Sequence, residues 1–193
     1  DRDHTNAVND LLNGGYVREI VIPPTSNIKN EKVLLERRKI LNAAAISGVK
    51  VSQIHAGYPI HATKDVTVSV YTDKNLDLKD KNGCTVYEIN YGSTNFVLSS
   101  CLGAKGQELL SQIGSDCDVL KIPSYGSAVK ASGKFISSFD PDYAVITSPP
   151  QSKYYIFDRK MSEILRRQKI KYARTDKNKT ITFVTDGTKI KSV

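Results

Sequence analysis

The stretch Asp118-Val119-Leu120-Lys121-Ile122-Pro123-Ser124-Tyr125-Gly126-Ser127 decides how the rest of the chain is read. Its first half, Asp118 to Ile122, reads as a buried strand. Pro123 closes the run, and the Ser/Gly residues behind it read as a loop. A buried strand emptying into such a loop is a common site position, because a rigid scaffold then places the loop side chains. An ordinary turn accounts for the same residues, so the loop alone assigns no chemistry.

Helices and strands alternate on both sides of it. Just upstream, strands over 84–91 and 94–99 make a hairpin about Gly92-Ser93, and a helix spans 102–113. Downstream come a short helix over 131–138, a strand over 143–147 and a helix over 158–168 with Met161, Ile164 and Leu165 on its apolar face. Strands over 171–174 and 180–184 follow, and Asp186-Gly187 turns into 189–191. Towards the amino terminus, a helix over 2–13 stops at Gly14-Gly15, and a strand over 17–22 closes at Pro23-Pro24. Val33, Leu34, Leu35, Ile40, Leu41 and Ala44 recur at helical spacing, which predicts a helix over 30–47 ended by Gly48. Strands over 49–54 and 65–71 precede a polar loop over 73–83. The class is mixed α/β, with hairpins early and β-α-β units late, in a single domain 1–193.

The 193 residues include 28 Lys and Arg against 20 Asp and Glu, a net charge of +8, and 39% are apolar. No apolar run approaches the ~20 residues of a membrane span. The charged opening Asp1-Arg2-Asp3-His4 is not that of a signal peptide. Composition excludes collagen, coiled coil and simple disorder. Cys84, Cys101 and Cys117 are an odd, widely spaced set without a CxxC pair. A disulfide-stapled mini-domain is therefore excluded, and free thiols place the cytoplasm slightly ahead of export as the expected compartment.

The charge is uneven. Residues 151–193 hold 12 basic and 4 acidic residues and so carry the whole +8, while 1–150 balance. Arg159, Lys160, Arg166, Arg167, Lys169, Lys171 and Arg174 follow Tyr154 and Tyr155. Basic residues beside aromatics suit single-stranded nucleic acid, and they equally suit a solvated helix face.

Two further segments hold metal-ligand chemistry. Asp1-x-Asp3-His4 opens a helix and can aim carboxylate and imidazole at one ion, although such residues also serve as helix caps. In Phe96-Val97-Leu98-Ser99-Ser100-Cys101-Leu102-Gly103 a strand passes into a helix at Cys101. A thiolate there is a zinc ligand, and a buried structural cysteine is the plainer reading.

In segment order the chain resembles the metallo-β-lactamase fold superfamily, and within it the carboxyl-terminal domain of the ComEC family of DNA-uptake competence proteins. Asp1-Arg2-Asp3-His4 fits the last four positions of that family's opening His-x-His/Asp-x-Asp-His, and Glu19-Ile20-Val21-Ile22-Pro23 fits its next strand. The family's Thr-Gly-Asp is here Ser99-Ser100-Cys101. Its Asp-Val-Leu-Lys-Val-x-His-His-Gly-Ser is here residues 118–127, and Arg174-Thr175-Asp176 resembles a segment among its closing strands.

The resemblance implies an αββα sandwich lacking its first strands in this chain, so that a partner chain supplying them is one expectation. It also implies an eroded metal site. The bridging Asp is replaced by Cys101, the His-His pair by Ser124-Tyr125, and Lys153-Tyr154-Tyr155-Ile156-Phe157 offers no final His. His55 and His61 fall outside the motif positions. The expectation is a chain without cofactor, weakly active or non-catalytic, that binds nucleic acid or another anionic ligand. Its contacts would be Arg159, Lys160, Arg166, Arg167 and Lys169, together with a small nest-like surface of Ser124, Gly126 and Ser127. The alternative is a mononuclear zinc hydrolase acting on a phosphodiester or ester. It would use Asp3, His4 and Cys101 as ligands, with Asp1 a weaker candidate, and Tyr125 and Ser127 as oxyanion donors.

Overall fold

The structure, a computed structural model, describes residues 5–22, 30–54, 60–61, 63–71, 85–128, 130–149 and 157–193. Asp1, Asp3, His4, His55, Cys84, Tyr154, Tyr155 and the 73–83 loop lie outside the described residues. The chain forms two compact units, one of Asp1–Ala56 with Thr72–Gly83 and one of Gly57–Tyr71 with Cys84–Val193.

The first unit holds α1 (Val8–Asn13), β1 (Glu19–Ile22), α2 (Glu31–Ile46) and β2 (Lys50–Gln53). Asn30 caps α2 by accepting the Lys32 N–H at 3.1 Å. α1 packs on α2, where Leu12 and Ala44 are buried. β1 and β2 pair in parallel from Glu19↔Lys50 to Ile22↔Gln53. The β-α-β arrangement is thus present from the start of the chain, not only late as the sequence suggests. A 16-residue helix between two strands leaves no room for a hairpin and carries the chain back to run parallel.

The second unit is built on a seven-stranded sheet of order β3-β4-β5-β6-β7-β8-β9. β3 (Ile60–His61), β4 (Val66–Tyr71), β5 (Val86–Tyr91) and β6 (Thr94–Leu98) are antiparallel neighbours. The β5–β6 turn is Gly92-Ser93 as expected, with Gly92 left-handed at φ 58°. From β6 the sheet continues in parallel through β7 (Val119–Lys121), β8 (Tyr143–Ile146) and β9 (Lys171–Arg174). The crossovers carry α3 (Ala104–Leu110), α4 (Gly133–Ser138) and α5 (Arg159–Arg167).

Burial explains the arrangement. Val119, Leu120 and Ile122 of the opening stretch are at most 3% exposed, as a strand covered on both faces requires. Phe135, Ile136, Phe139, Met161 and Leu165 join the same core, with the Phe135 and Phe139 rings tilted at 5.1 Å. The helix predicted over 102–113 is shorter. After Leu110 the N–H groups of Gln112 and Ile113 reach back only three residues, so the helix tightens and stops.

After β9, Thr175–Asn178 forms a single helical turn, α6, which the sequence did not announce. The Arg174 N–H donates to Asn178 Oδ1 at 3.0 Å, and the Asp176 carboxylate grips the Arg174 side chain. β10 (Phe183–Thr185) and β11 (Ile190–Ser192) make a separate antiparallel hairpin. Its turn meets the β5–β6 turn, where the Ser93 N–H donates to the Gly187 carbonyl at 2.7 Å. No helix among the described residues is long and apolar enough to cross a membrane.

Candidate functional site

Because β6, β7, β8 and β9 are parallel, their carboxyl ends share one edge of the sheet. Ligands of open α/β sheets bind at such edges, since the strands deliver several loops to one place. Here the edge is made by Ser99-Ser100-Cys101 after β6, Pro123–Gly126 after β7, Ser148 after β8 and Arg174 with Thr175 at the end of β9.

Hydrogen bonds stitch these ends together. The Ser99 hydroxyl donates to the Lys121 carbonyl, and the Ser124 N–H donates to the Ser100 carbonyl at 3.2 Å. The Ser148 N–H donates to Thr175 Oγ1 at 2.9 Å, and the Thr175 hydroxyl donates back to the Ser148 carbonyl at 2.9 Å. The Arg174 guanidinium lies 3.7 Å from the Phe157 ring centroid and holds Asp176 in a two-point pair, with Nε to Oδ1 at 2.9 Å. That pairing keeps the Asp176 carboxyl below its ordinary pKa.

Backbone strain gathers at the same edge. Ser100 (φ 46°), Ser124 (φ 51°) and Tyr125 (φ 59°) are left-handed without being glycine, and Gly126 follows at φ 75°. Such conformations persist where the surroundings over-determine them, and they cluster at functional sites. Gly126 is required here, because a Cβ would stand 2.8 Å from Ile146. Three successive left-handed residues form a tight turn, which differs from the alternating handedness of a nest. The nest-like surface expected of Ser124, Gly126 and Ser127 is therefore reshaped. The N–H of Ser124 is committed to Ser100, and that of Ser127 to the Ser124 carbonyl at 3.1 Å. The Ser124 and Ser127 hydroxyls make no hydrogen bond among the described residues.

Lys121 is the residue that sequence reasoning passed over. It is one lysine within Val119-Leu120-Lys121-Ile122, and a charge in an otherwise apolar strand was the available signal. Its ammonium donates to the Ser100 carbonyl at 3.0 Å and stands 6.0 Å from the Tyr125 ring centroid. It forms no ion pair among the described residues. Burial lowers its pKa below the ordinary lysine value.

The basic cluster of the last segment divides. Arg159 and Lys160 open α5, next to Phe157 at this edge, and both are exposed. Arg166, Arg167 and Lys169 are also exposed, but they lie about 12 Å along the helix axis, towards the opposite edge. Met161 and Leu165 fill the buried face of α5, as the spacing predicts.

Two solved structures share this architecture at 11% sequence identity. Zn(2+)-bound PqqB from Methylobacterium extorquens matches 90% of the chain and 66% of its own length, with a TM-score of 0.55. YhfI from Bacillus subtilis, a metallo-β-lactamase fold protein, matches 90% of the chain and 70% of its own length, with a TM-score of 0.51. The chain has a metallo-β-lactamase fold. At the sequence level this metallo-β-lactamase-fold chain is similar to ComE operon protein 3 of Bacillus subtilis (strain 168), with 28% identity over 188 residues. The match covers 95% of the chain and 23% of that protein, so the chain spans about a quarter of the relative's length. The ComEC-like fold expected from segment order is borne out. No protein-family model matches the sequence.

The metal ligands that the resemblance implies do not assemble among the described residues. Asp1, Asp3 and His4 lie outside them, and no group of three or more His, Cys, Asp or Glu stands close enough to hold an ion among those described. Cys101 is disulfide-bonded. A disulfide sulfur carries no thiolate, so Cys101 has zinc-binding capacity only when reduced. The described donor set does not fit a zinc centre. The disulfide also corrects the free-thiol reading, since Cys117, buried, is the free cysteine among the described residues.

Proposed function

We propose that this metallo-β-lactamase-fold domain binds an anionic ligand, the phosphodiester backbone of nucleic acid, at the carboxyl-terminal edge of its parallel strands, with little or no hydrolysis of its own. The observation that carries the reading is Lys121, a half-buried lysine at that edge whose ammonium has no carboxylate partner among the described residues. Partial desolvation of a cation is offset by an anionic partner, and an incoming phosphate would supply one. The unbonded Ser124 and Ser127 hydroxyls are donors of the right kind beside it. Exposed Arg159 and Lys160 extend the positive surface along the same edge. The Cys101 disulfide favours an oxidising compartment over the cytoplasm.

The test is fluorescence anisotropy with short single-stranded DNA across a salt series. Affinity is expected to fall steeply as salt rises. Lys121→Met is expected to weaken binding by about tenfold or more, the worth of one charge-assisted hydrogen bond. Absence of binding at low salt overturns the reading. Zinc analysis of protein purified without added metal, before and after reduction of the disulfide, addresses the rival. Stoichiometric zinc that appears on reduction and is lost in Cys101→Ala would support the zinc-hydrolase reading with Asp3, His4 and Cys101 instead, and a metal-free protein would sink it.

A further inference from the structure

The opposite end of the same parallel strands holds a second polar site, a groove of about 560 Å³. Its walls come from the residues that lead into β7, β8 and β9 and from the β11 arm of the last hairpin. Four lysines line it, Lys169, Lys171, Lys189 and Lys191, and three carboxylates line it with them, Asp118, Asp140 and Asp142.

Opposite charges that share a cleft ordinarily pair. Among the described residues none of these seven forms an ion pair. Lys171 instead holds its ammonium 5.2 Å from the Tyr143 ring centroid, and Asp118 accepts the Asn95 N–H at 2.7 Å. Asp140 (φ 33°) and Lys169 (φ 60°) are left-handed, which non-glycine residues adopt at a cost. Gln168, also in the wall, has its Oε1 buried without a hydrogen-bond partner among the described residues.

A simple anion in this groove would face three carboxylates, and a simple cation would face four ammonium groups. The complement is one ligand carrying both an anionic group and hydrogen-bond donors. We propose that the groove binds a phosphate ester of nucleotide size, with its phosphate on the lysines and its amino or hydroxyl groups on Asp140 and Asp142. Lysine meets phosphate as a point charge, and carboxylates accept from nucleobase amino groups. The volume falls within the roughly 300–1,000 Å³ typical of small-ligand sites. Lys121 takes no part, so this site stands or falls separately from the one at the other edge.

The experiment follows ¹H–¹⁵N amide shifts of the full chain at about 25 mM salt, where electrostatic contacts are least screened. The probes are deoxycytidine 5′-monophosphate, inorganic phosphate, deoxycytidine and a cytidine tetradeoxynucleotide. The nucleotide is expected to shift the amides of 168–171 and 189–191, with affinity about tenfold above phosphate or nucleoside alone. The double variant Lys189→Ala/Lys191→Ala, altered at two exposed positions, is expected to lose about tenfold, and Lys121→Met none. Preference between mononucleotide and tetranucleotide tells a free ligand from a unit of a strand. Equal affinity for phosphate and nucleotide overturns the proposal and leaves a diffuse basic surface. Unmoved groove amides, or shifts retained in the double variant, overturn it as well.

Discussion

The Lys121 ammonium donates to the Ser100 carbonyl at 3.0 Å, which ties the end of β7 to the left-handed turn after β6. A cation is thereby held against one backbone carbonyl, with the Tyr125 ring 6.0 Å away, rather than against a carboxylate among the described residues. Under the proposed reading, a charge arranged this way is available to an anionic ligand.

Lys121→Met separates a role in binding from a role in folding. Replacing a half-buried, unpaired charge with an apolar side chain of similar length removes a desolvation cost and is expected to be neutral or stabilising. The melting temperature of Lys121→Met is expected to hold or rise while anion affinity falls. Calorimetry and anisotropy on one preparation measure both, and a variant that loses stability along with binding would show Lys121 to be a structural residue. Burial also lowers the Lys121 pKa, so anion affinity is expected to begin falling at a lower pH than for an ordinary lysine.

The two hairpin turns depend on Gly92. It is left-handed at φ 58°, and a Cβ would stand 2.2 Å from the Gly187 carbonyl oxygen. Gly92→Ala is expected to destabilise by about 2 kcal/mol or more, from left-handed strain and forced separation of the turns together. Ser93→Ala removes only the hydroxyl contact to Gly187 at 3.2 Å and is expected to cost about 1 kcal/mol. Urea unfolding of the two variants ranks them, and the reverse order would show that the turns tolerate separation.

Acid should loosen the last hairpin through Asp186. Its carboxylate accepts the N–H groups of Thr188 and Lys189 and the Thr188 hydroxyl, each at 2.8 Å. The Thr188 N–H leads in lowering its pKa, to about 2. An unfolded aspartate titrates near ~3.9. The contribution to stability is therefore present above about pH 4 and lost as pH falls through about 2. Melting temperatures between pH 5 and 2 should drop more for the wild type than for Asp186→Asn, and parallel curves would remove Asp186 from the account.

The cysteines should behave differently from one another. Burial pushes the Cys117 thiol up to about 12, with Asp118 adding to the effect, so no thiolate is available near neutrality. Alkylation at pH 8 is expected to leave Cys117 unmodified until the protein is unfolded. Cys101→Ser removes a disulfide and should cost roughly 2–4 kcal/mol in urea unfolding, matched by wild type under reductant. Rapid native labelling of Cys117 would mean that the core around Phe139 opens readily.

Much of the fold was legible because its signals are local. The apolar run Val119-Leu120-Ile122, the Gly92-Ser93 turn and the Met161/Leu165 spacing each name an element without reference to distant residues. Thr175–Asn178 was not legible, since that turn rests on the Arg174 side chain meeting Asp176, not on periodicity. The candidate site was legible as a place and only partly as a set of residues. Ser124, Tyr125, Gly126 and Ser127 read as a site loop, whereas Lys121 read as one residue of a strand.

By itself, the sequence determined the order of helices and strands, the buried strand that leads to the loop, the resemblance carried by segment order, and the concentration of all +8 charges in residues 151–193. Tertiary structure alone decided which charges lie together. Parallel pairing of β6 through β9 puts Lys121, Ser124 and Arg174 at one edge and Lys169, Lys171 and three aspartates at the other, so the basic segment is divided between two edges. It also put Cys101 into a disulfide, where the sequence read either a buried structural cysteine or a zinc-binding thiolate. The physical reason is that periodicity reports burial within one element, whereas a site is an agreement between the ends of several elements, and that agreement exists only once the sheet has set their order and direction.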